Sequence, residues 1–126
     1  AWTFGVSQTI EMLLARRGKP VTILATGDPM HFGIGATLRR YLDESEMRVI
    51  PSPSAFSLAA SRLGWALQDV AQISLHGRSV HALAAHMQPG NRIIALTSTG
   101  RTIGEAAAIL STAGYGPSVM TVLEHM

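Results

Sequence analysis

Five short apolar runs, at residues 21–25, 47–50, 71–75, 92–96 and 118–123, alternate along the chain with stretches of helical length at 5–17, 33–42, 54–63, 80–87 and 102–113. The run Val21-Thr22-Ile23-Leu24-Ala25 is β-branched and apolar throughout, which fits a strand buried on both faces, the kind found in a parallel sheet. Alternation of this kind is the signature of α/β architecture. Punctuation supports it. The first helical stretch carries Val6, Ile10, Leu13 and Leu14 on one side and ends in Arg16-Arg17-Gly18, a basic last turn followed by a glycine stop. Ser54 stands at the N-cap of the third stretch and Gly64 at its end, and Pro89-Gly90 turns the chain into the run at 92–96. Residues 65–69 read as a linker, so the expected organisation is two α/β lobes, residues 1–66 and residues 67–126.

The chain opens directly on a helix, without the strand that usually leads such a lobe, and stops as a strand finishes. The expectation is a fold incomplete at both ends, with a bare sheet edge where the leading strand would pair. With 126 residues and 47% hydrophobic side chains, enough apolar surface is present for a real core. No apolar run approaches the ~20 residues of a membrane span, and residues 1–5 lack the basic n-region of a signal peptide, so a cytoplasmic protein that engages no membrane is expected.

In open α/β sheets, ligands bind beyond the carboxyl ends of the strands, where loops supply backbone donors. Three loops occupy such positions. In residues 26–35, Thr26-Gly27-Asp28-Pro29-Met30-His31-Phe32-Gly33-Ile34-Gly35, Gly27 allows close backbone approach, Pro29 stiffens the turn, and Gly33 and Gly35 let the helix start pack near a ligand. Asp28 is placed either to cap the following turn or to touch a ligand. Residues 51–55 put small side chains and the Ser54 cap at a second junction. Residues 96–101 contain Thr97-Ser98-Thr99-Gly100-Arg101, suited to capping or to holding an anion.

Several chemistries are excluded. There is no cysteine, hence no disulfide, zinc-thiolate site or cysteine nucleophile in these residues. His81 and His86 stand five apart, a poor match to the i,i+4 pairing of zinc helices, and no metal site is expected. Neither a dinucleotide fingerprint, a Walker loop nor a Gly-x-Ser-x-Gly elbow occurs. The formal charge is +2 and the arginines are scattered (Arg39, Arg40, Arg62, Arg78, Arg92, Arg101), unlike the dense basic patch of a nucleic-acid binder. Such arginines suit a small polycarboxylate or a solvated surface. Met30, Met87, Met120 and Met126 read as core or gap-filling residues.

The segment from Ala25 to Gly35 closely resembles the GDP loop of the tetrapyrrole (corrin/porphyrin) methylases, and Pro51-Ser52-Pro53-Ser54-Ala55-Phe56-Ser57-Leu58-Ala59-Ala60 looks like that family's second cofactor loop. Ile73-Ser74-Leu75-His76-Gly77-Arg78 is similar to the branch that methylates precorrins at carbons 5 and 15. The resemblance implies a two-lobed methylase with S-adenosylmethionine in a cleft between lobes, acting in cobalamin biosynthesis on a precorrin macrocycle. Gly27 and Asp28 would contact the methionine part of the cofactor with Thr26 and His31 nearby, Ser54 and Ala55 would meet it from the second loop, and Leu96 from the C-terminal lobe. The family's leading strand, its first glycine-rich loop and a later glycine-rich segment are not among these residues.

Methyl transfer from a sulfonium mainly requires aligning two partners in a dry cleft. His76 would serve as a proton acceptor if a proton must leave, or make a structural hydrogen bond at its strand end. Arg78 would hold a substrate carboxylate, or pair with Asp69 and steady the linker. The resemblance also implies a homo-oligomer and a separate C-terminal decarboxylating methyltransferase module. The competing readings are a non-catalytic Rossmann-like lobe that docks a nucleotide or anion, and a sibling methylase acting on another precorrin.

Overall fold

A computed structural model describes residues 5–125. Residues 1–4, part of the stretch expected to lack a signal peptide's n-region, and Met126, expected as a core or gap-filling residue, lie outside the described residues. The architecture is mixed helix and strand with a small parallel sheet, and it divides into two compact units between Ser52 and Pro53.

In the first unit, helix α1 (Val6–Leu14) buries Ile10 and gives way to tight turns, with Arg16 N donating to Leu13 O and Gly18 taking φ +81°. Helix α2 (Ile34–Leu38) is shorter than the 33–42 expected, because beyond it the backbone tightens into three-residue turns, Arg40 N to Thr37 O and Tyr41 N to Leu38 O. A single helical turn, Glu44–Glu46, follows. Its Glu46 carboxylate receives Arg17 through two bonds, Nε to Oε1 at 2.6 Å and Nη2 to Oε2 at 2.9 Å. The guanidinium hydrogen bond holds the Glu46 carboxyl below its ordinary pKa, and the same bond raises Arg17.

The runs at 21–25 and 47–50 belong to no strand among the described residues, contrary to expectation. Leu24 is 86% exposed and Ile50 74%. A strand is stabilised by a neighbour that takes its backbone bonds and covers its face, and neither run finds one within this unit.

The second unit contains helix α3 (Ala55–Leu63), a turn at Leu67–Asp69, strand β1 (Val70–Ser74), a 3₁₀ segment Val80–His86, strand β2 (Arg92–Leu96) and helix α4 (Gly100–Thr112). Helix α3 packs with the residues that follow it. It is bounded as its sequence dictates, with Ser54 capping the start and Gly64 closing the end at φ +65°. The strands pair in parallel, in register from Val70 opposite Arg92 to Ser74 opposite Leu96.

Alternate side chains go to opposite faces of this two-stranded sheet. On one face Val70 and Ile94 pack with Phe56, Ala59 and Ala60 of α3. On the other, Ile73 packs with Leu83 and with Ala106 of α4, flanked by Ile93 and Ala95. The sheet is thus covered on both sides, as a parallel pair requires.

The stretch expected as an α-helix at 80–87 is instead a 3₁₀ helix over Val80–His86: Ala82 N bonds Ser79 O, and Leu83 alone is buried, too little of an apolar stripe to hold regular α turns. Residues 118–123 form no strand, because only Leu123 reaches the core while Val119 is 93% exposed, so burial does not offset the ordering cost. Met30 and Met120 are exposed rather than core residues, whereas Met87 packs against the second face.

Candidate functional site

The loop at 26–35 in the first unit is held by its own backbone. Gly27 takes φ +64°, a conformation that an L side chain adopts only under strain. Asp28 Oδ1 accepts from Met30 N at 2.8 Å, so the carboxylate does cap the turn, and Asp28 O accepts from His31 N at 3.3 Å. A β-carbon on Gly33 would lie 2.5 Å from Asp28 O, and one on Gly35 2.7 Å from Pro29 O. These two glycines therefore make room for the loop's own carbonyls and let the helix start pack closely against the loop. Phe32 sits at φ +55° with the His31 ring stacked on it, centroids 5.3 Å apart. Thr26, Gly27, Asp28 and His31 all belong to this loop.

In the second unit, Ser54 is buried. Its Oγ accepts from Ser57 N at 3.2 Å and lies 3.2 Å from Ser57 Oγ. Its side chain serves the helix, and what it presents beyond the cap is backbone. Ala55 and Leu96, contributed by α3 and the end of β2, line one cleft of about 610 Å³ together with Trp65, Leu75, Thr97 and Leu123. That volume lies within the range of small-molecule sites. Arg92 lies over the Trp65 ring, 5.4 Å from its centroid, so this arginine is engaged in a cation–π contact.

The carboxyl ends of β1 and β2 bring two loops together. Leu75 N donates to Leu96 O at 2.8 Å, continuing the pairing by one step. Leu75, His76, Gly77 and Arg78 then form a turn closed by Arg78 N on Leu75 O, with Gly77 at φ +64° in the third position that favours glycine. Across from this turn, Ser98 Oγ lies 2.9 Å from His76 Nδ1. Arg78 is exposed, and Arg101 pairs with Glu105 along α4 at 2.9 Å.

Ser98 was not singled out by sequence reasoning. Its signal was the register: two residues beyond Leu96, it stands opposite the residue two beyond Ser74, which is His76. Among the described residues, no group of three or more His, Asp or Glu side chains is placed to hold a metal ion, and no helix is long and apolar enough to cross a membrane.

Compared with known proteins, residues 6–125 match the family described as Tetrapyrrole (Corrin/Porphyrin) Methylases. The chain is 46% identical over 125 residues to a Precorrin-6Y C(5,15)-methyltransferase [decarboxylating] of Sinorhizobium sp, covering 99% of this chain and 30% of that relative. A protein of the same name from Mycobacterium tuberculosis (strain ATCC 25618 / H37Rv) is 34% identical over 113 residues, 90% of this chain and 28% of the relative. A Cobalt-precorrin-7 C(5)-methyltransferase of Salmonella typhimurium is 31% identical over 124 residues, 96% of this chain and 59% of the relative. The chain thus spans between about a quarter and three-fifths of the length of these curated relatives. No solved structure matches it at comparable significance.

Proposed function

The chain belongs to the tetrapyrrole (corrin/porphyrin) methylase family, and from that premise we propose that it is part of an S-adenosylmethionine-dependent methyltransferase that methylates a precorrin carbon in cobalamin biosynthesis. The observation that carries this reading is the 46% identity to the Sinorhizobium precorrin-6Y methyltransferase across 99% of the chain.

The residues present fit the cofactor. Gly27 in a left-handed conformation lets backbone come close to a ligand where a side chain would intrude, and in the second unit the cleft of about 610 Å³ that Ala55 and Leu96 help line is predominantly apolar. When bound, S-adenosylmethionine supplies a methyl group activated by its sulfonium. Gly27 and Asp28, with Thr26 and His31 nearby, would hold the methionine part. Ser54 and Ala55 would contribute backbone and Leu96 an apolar wall. Arg78, exposed at the end of β1, would take a substrate carboxylate by two parallel hydrogen bonds. The decarboxylation in the relatives' name would fall to a further module in the full chain.

Titration calorimetry on the full chain tests the cofactor: S-adenosylhomocysteine should bind, with ATP and NAD much weaker. Equal or stronger binding of either nucleotide would favour a non-catalytic nucleotide-docking lobe and overturn the reading. The 31% identity to the Salmonella protein favours one second reading, methylation of a cobalt-containing precorrin. Product masses from precorrins offered with and without cobalt separate the two.

A further inference from the structure

We propose that Ser98 is a positioning residue for His76, fixing the imidazole through Nδ1 so that Nε2 takes the proton released by the newly methylated carbon. This rests on the methyltransferase reading above and extends it to a proton acceptor and the residue that orients it. Three observations carry it. His76 and Ser98 follow the carboxyl ends of two paired parallel strands, where α/β sheets place their chemistry. Continuation of the Ser74–Leu96 register sets the two residues opposite each other, and the 2.9 Å contact between Ser98 Oγ and His76 Nδ1 joins them across 22 positions of sequence. Both side chains are exposed at this edge, within reach of a ligand rather than sealed in the core.

The tautomer follows from the role. A meso carbon that has gained a methyl group still carries its hydrogen, and conjugation returns when that C–H bond breaks, its electron pair going back into the macrocycle and its proton to a base. For Nε2 to accept that proton it must hold a lone pair, which requires the hydrogen on Nδ1. In that state Nδ1–H donates to Ser98 Oγ, and the hydroxyl acts as acceptor. After the transfer the imidazolium keeps the same bond, so the ring does not turn during the step.

The test uses the full chain labelled with ¹⁵N-histidine. Long-range ¹H–¹⁵N spectra of neutral His76 should show the Nδ1–H form in the unaltered protein and a shift toward the Nε2–H form in Ser98→Ala. Ser98→Thr, which keeps the hydroxyl, should retain the first pattern. In steady-state kinetics Ser98→Ala should lower kcat about tenfold and His76→Gln about 10²-fold or more, the range of a lost general base, with S-adenosylhomocysteine affinity unchanged. An Nε2–H tautomer in the unaltered protein, or undiminished turnover in folded His76→Gln, overturns the proposal. Failure of the unaltered chain to methylate any precorrin would instead overturn the methyltransferase reading, while the tautomer spectra would still decide whether Ser98 sets the ring.

Discussion

Residues 21–25 and strand β1 make an instructive pair. Both are five-residue stretches, and the first, Val-Thr-Ile-Leu-Ala, has the stronger strand composition of the two, yet only Val70–Ser74 is a strand. β1 has β2 in register beside it, α3 over one face and α4 over the other. Residues 21–25 have no such partner among the described residues, and Leu24 stays 86% exposed. Strand propensity therefore describes fitness for a half-buried pleated surface, and the surface itself must come from elsewhere in the fold.

The largest effect expected from that contrast comes from removing side chains at matched depth in sequence but not in space. Phe56 is fully buried against Val70 and Ile94, so Phe56→Ala should cost about 3–5 kcal/mol of unfolding free energy by loss of burial and creation of a cavity. Leu24→Ala in the same chain should stay within about 0.5 kcal/mol, the usual range for exposed positions. Urea unfolding measures both. A comparable loss for Leu24 would mean that residues 21–25 are covered after all, and the comparison would fail.

Smaller, and divided between binding and stability, are the effects in the loop that follows residues 21–25. Gly27→Val forces a β-branched side chain into φ +64°, at a strain of order 1–3 kcal/mol, and should also weaken S-adenosylhomocysteine binding. Asp28→Ala removes the acceptor for Met30 N as well as a charge, whereas Asp28→Asn keeps an acceptor. If the carboxylate also touches ligand, both Asp28 variants should bind more weakly, and only the alanine should melt earlier. A normal affinity in a destabilised Asp28→Ala would leave the residue a turn cap alone.

Ser54 shows the second unit's version of the same capping chemistry. Its hydroxyl accepts from Ser57 N, so Ser54→Ala should cost about 1 kcal/mol, while Ser54→Gly should cost only a few tenths. Thermal unfolding of the two variants side by side checks the order; an alanine variant as stable as the parent would show that the cap contributes nothing.

The legible parts of this molecule are those whose cause is local or paired nearby. Helix α3 was readable because Ser54 and Gly64 bracket it, and β2 because Pro89-Gly90 delivers the chain into an apolar run. The family was readable from the loop at 26–35, and so was the capping alternative for Asp28. What could not be read depended on partners far along the chain. The 3₁₀ geometry at Val80–His86 goes with Leu83 being its one buried residue, and the His76–Ser98 contact follows from a register that exists only once two strands pair. Nor does the sequence show that Gly33 and Gly35 spare room for the loop's own carbonyls, because that approach depends on how the loop folds back on the helix start.

The smallest effect lies in the first unit's ion pair, and its sign is fixed by which group titrates. Arg17 holds the Glu46 carboxylate, chiefly by hydrogen bonding, and so lowers its pKa in the folded chain. A depressed carboxyl contributes stability that is complete above its unfolded value and is lost as pH falls through the folded value. Arg17 is shifted upward by the same contact, but its loss of charge lies far above neutrality and adds no slope in an accessible range. Stability measured from pH 7 downward should therefore fall slightly more steeply in the parent than in Glu46→Gln, with the two curves converging at the acid end. Because both side chains are partly exposed, 53% for Arg17 and 31% for Glu46, added salt should narrow the gap at neutral pH. A Glu46→Gln curve that matches the parent at every pH, in low and in high salt, would indicate that Glu46 acts as the hydrogen-bond acceptor for Asp43 N, a role glutamine also fills, rather than as a charge.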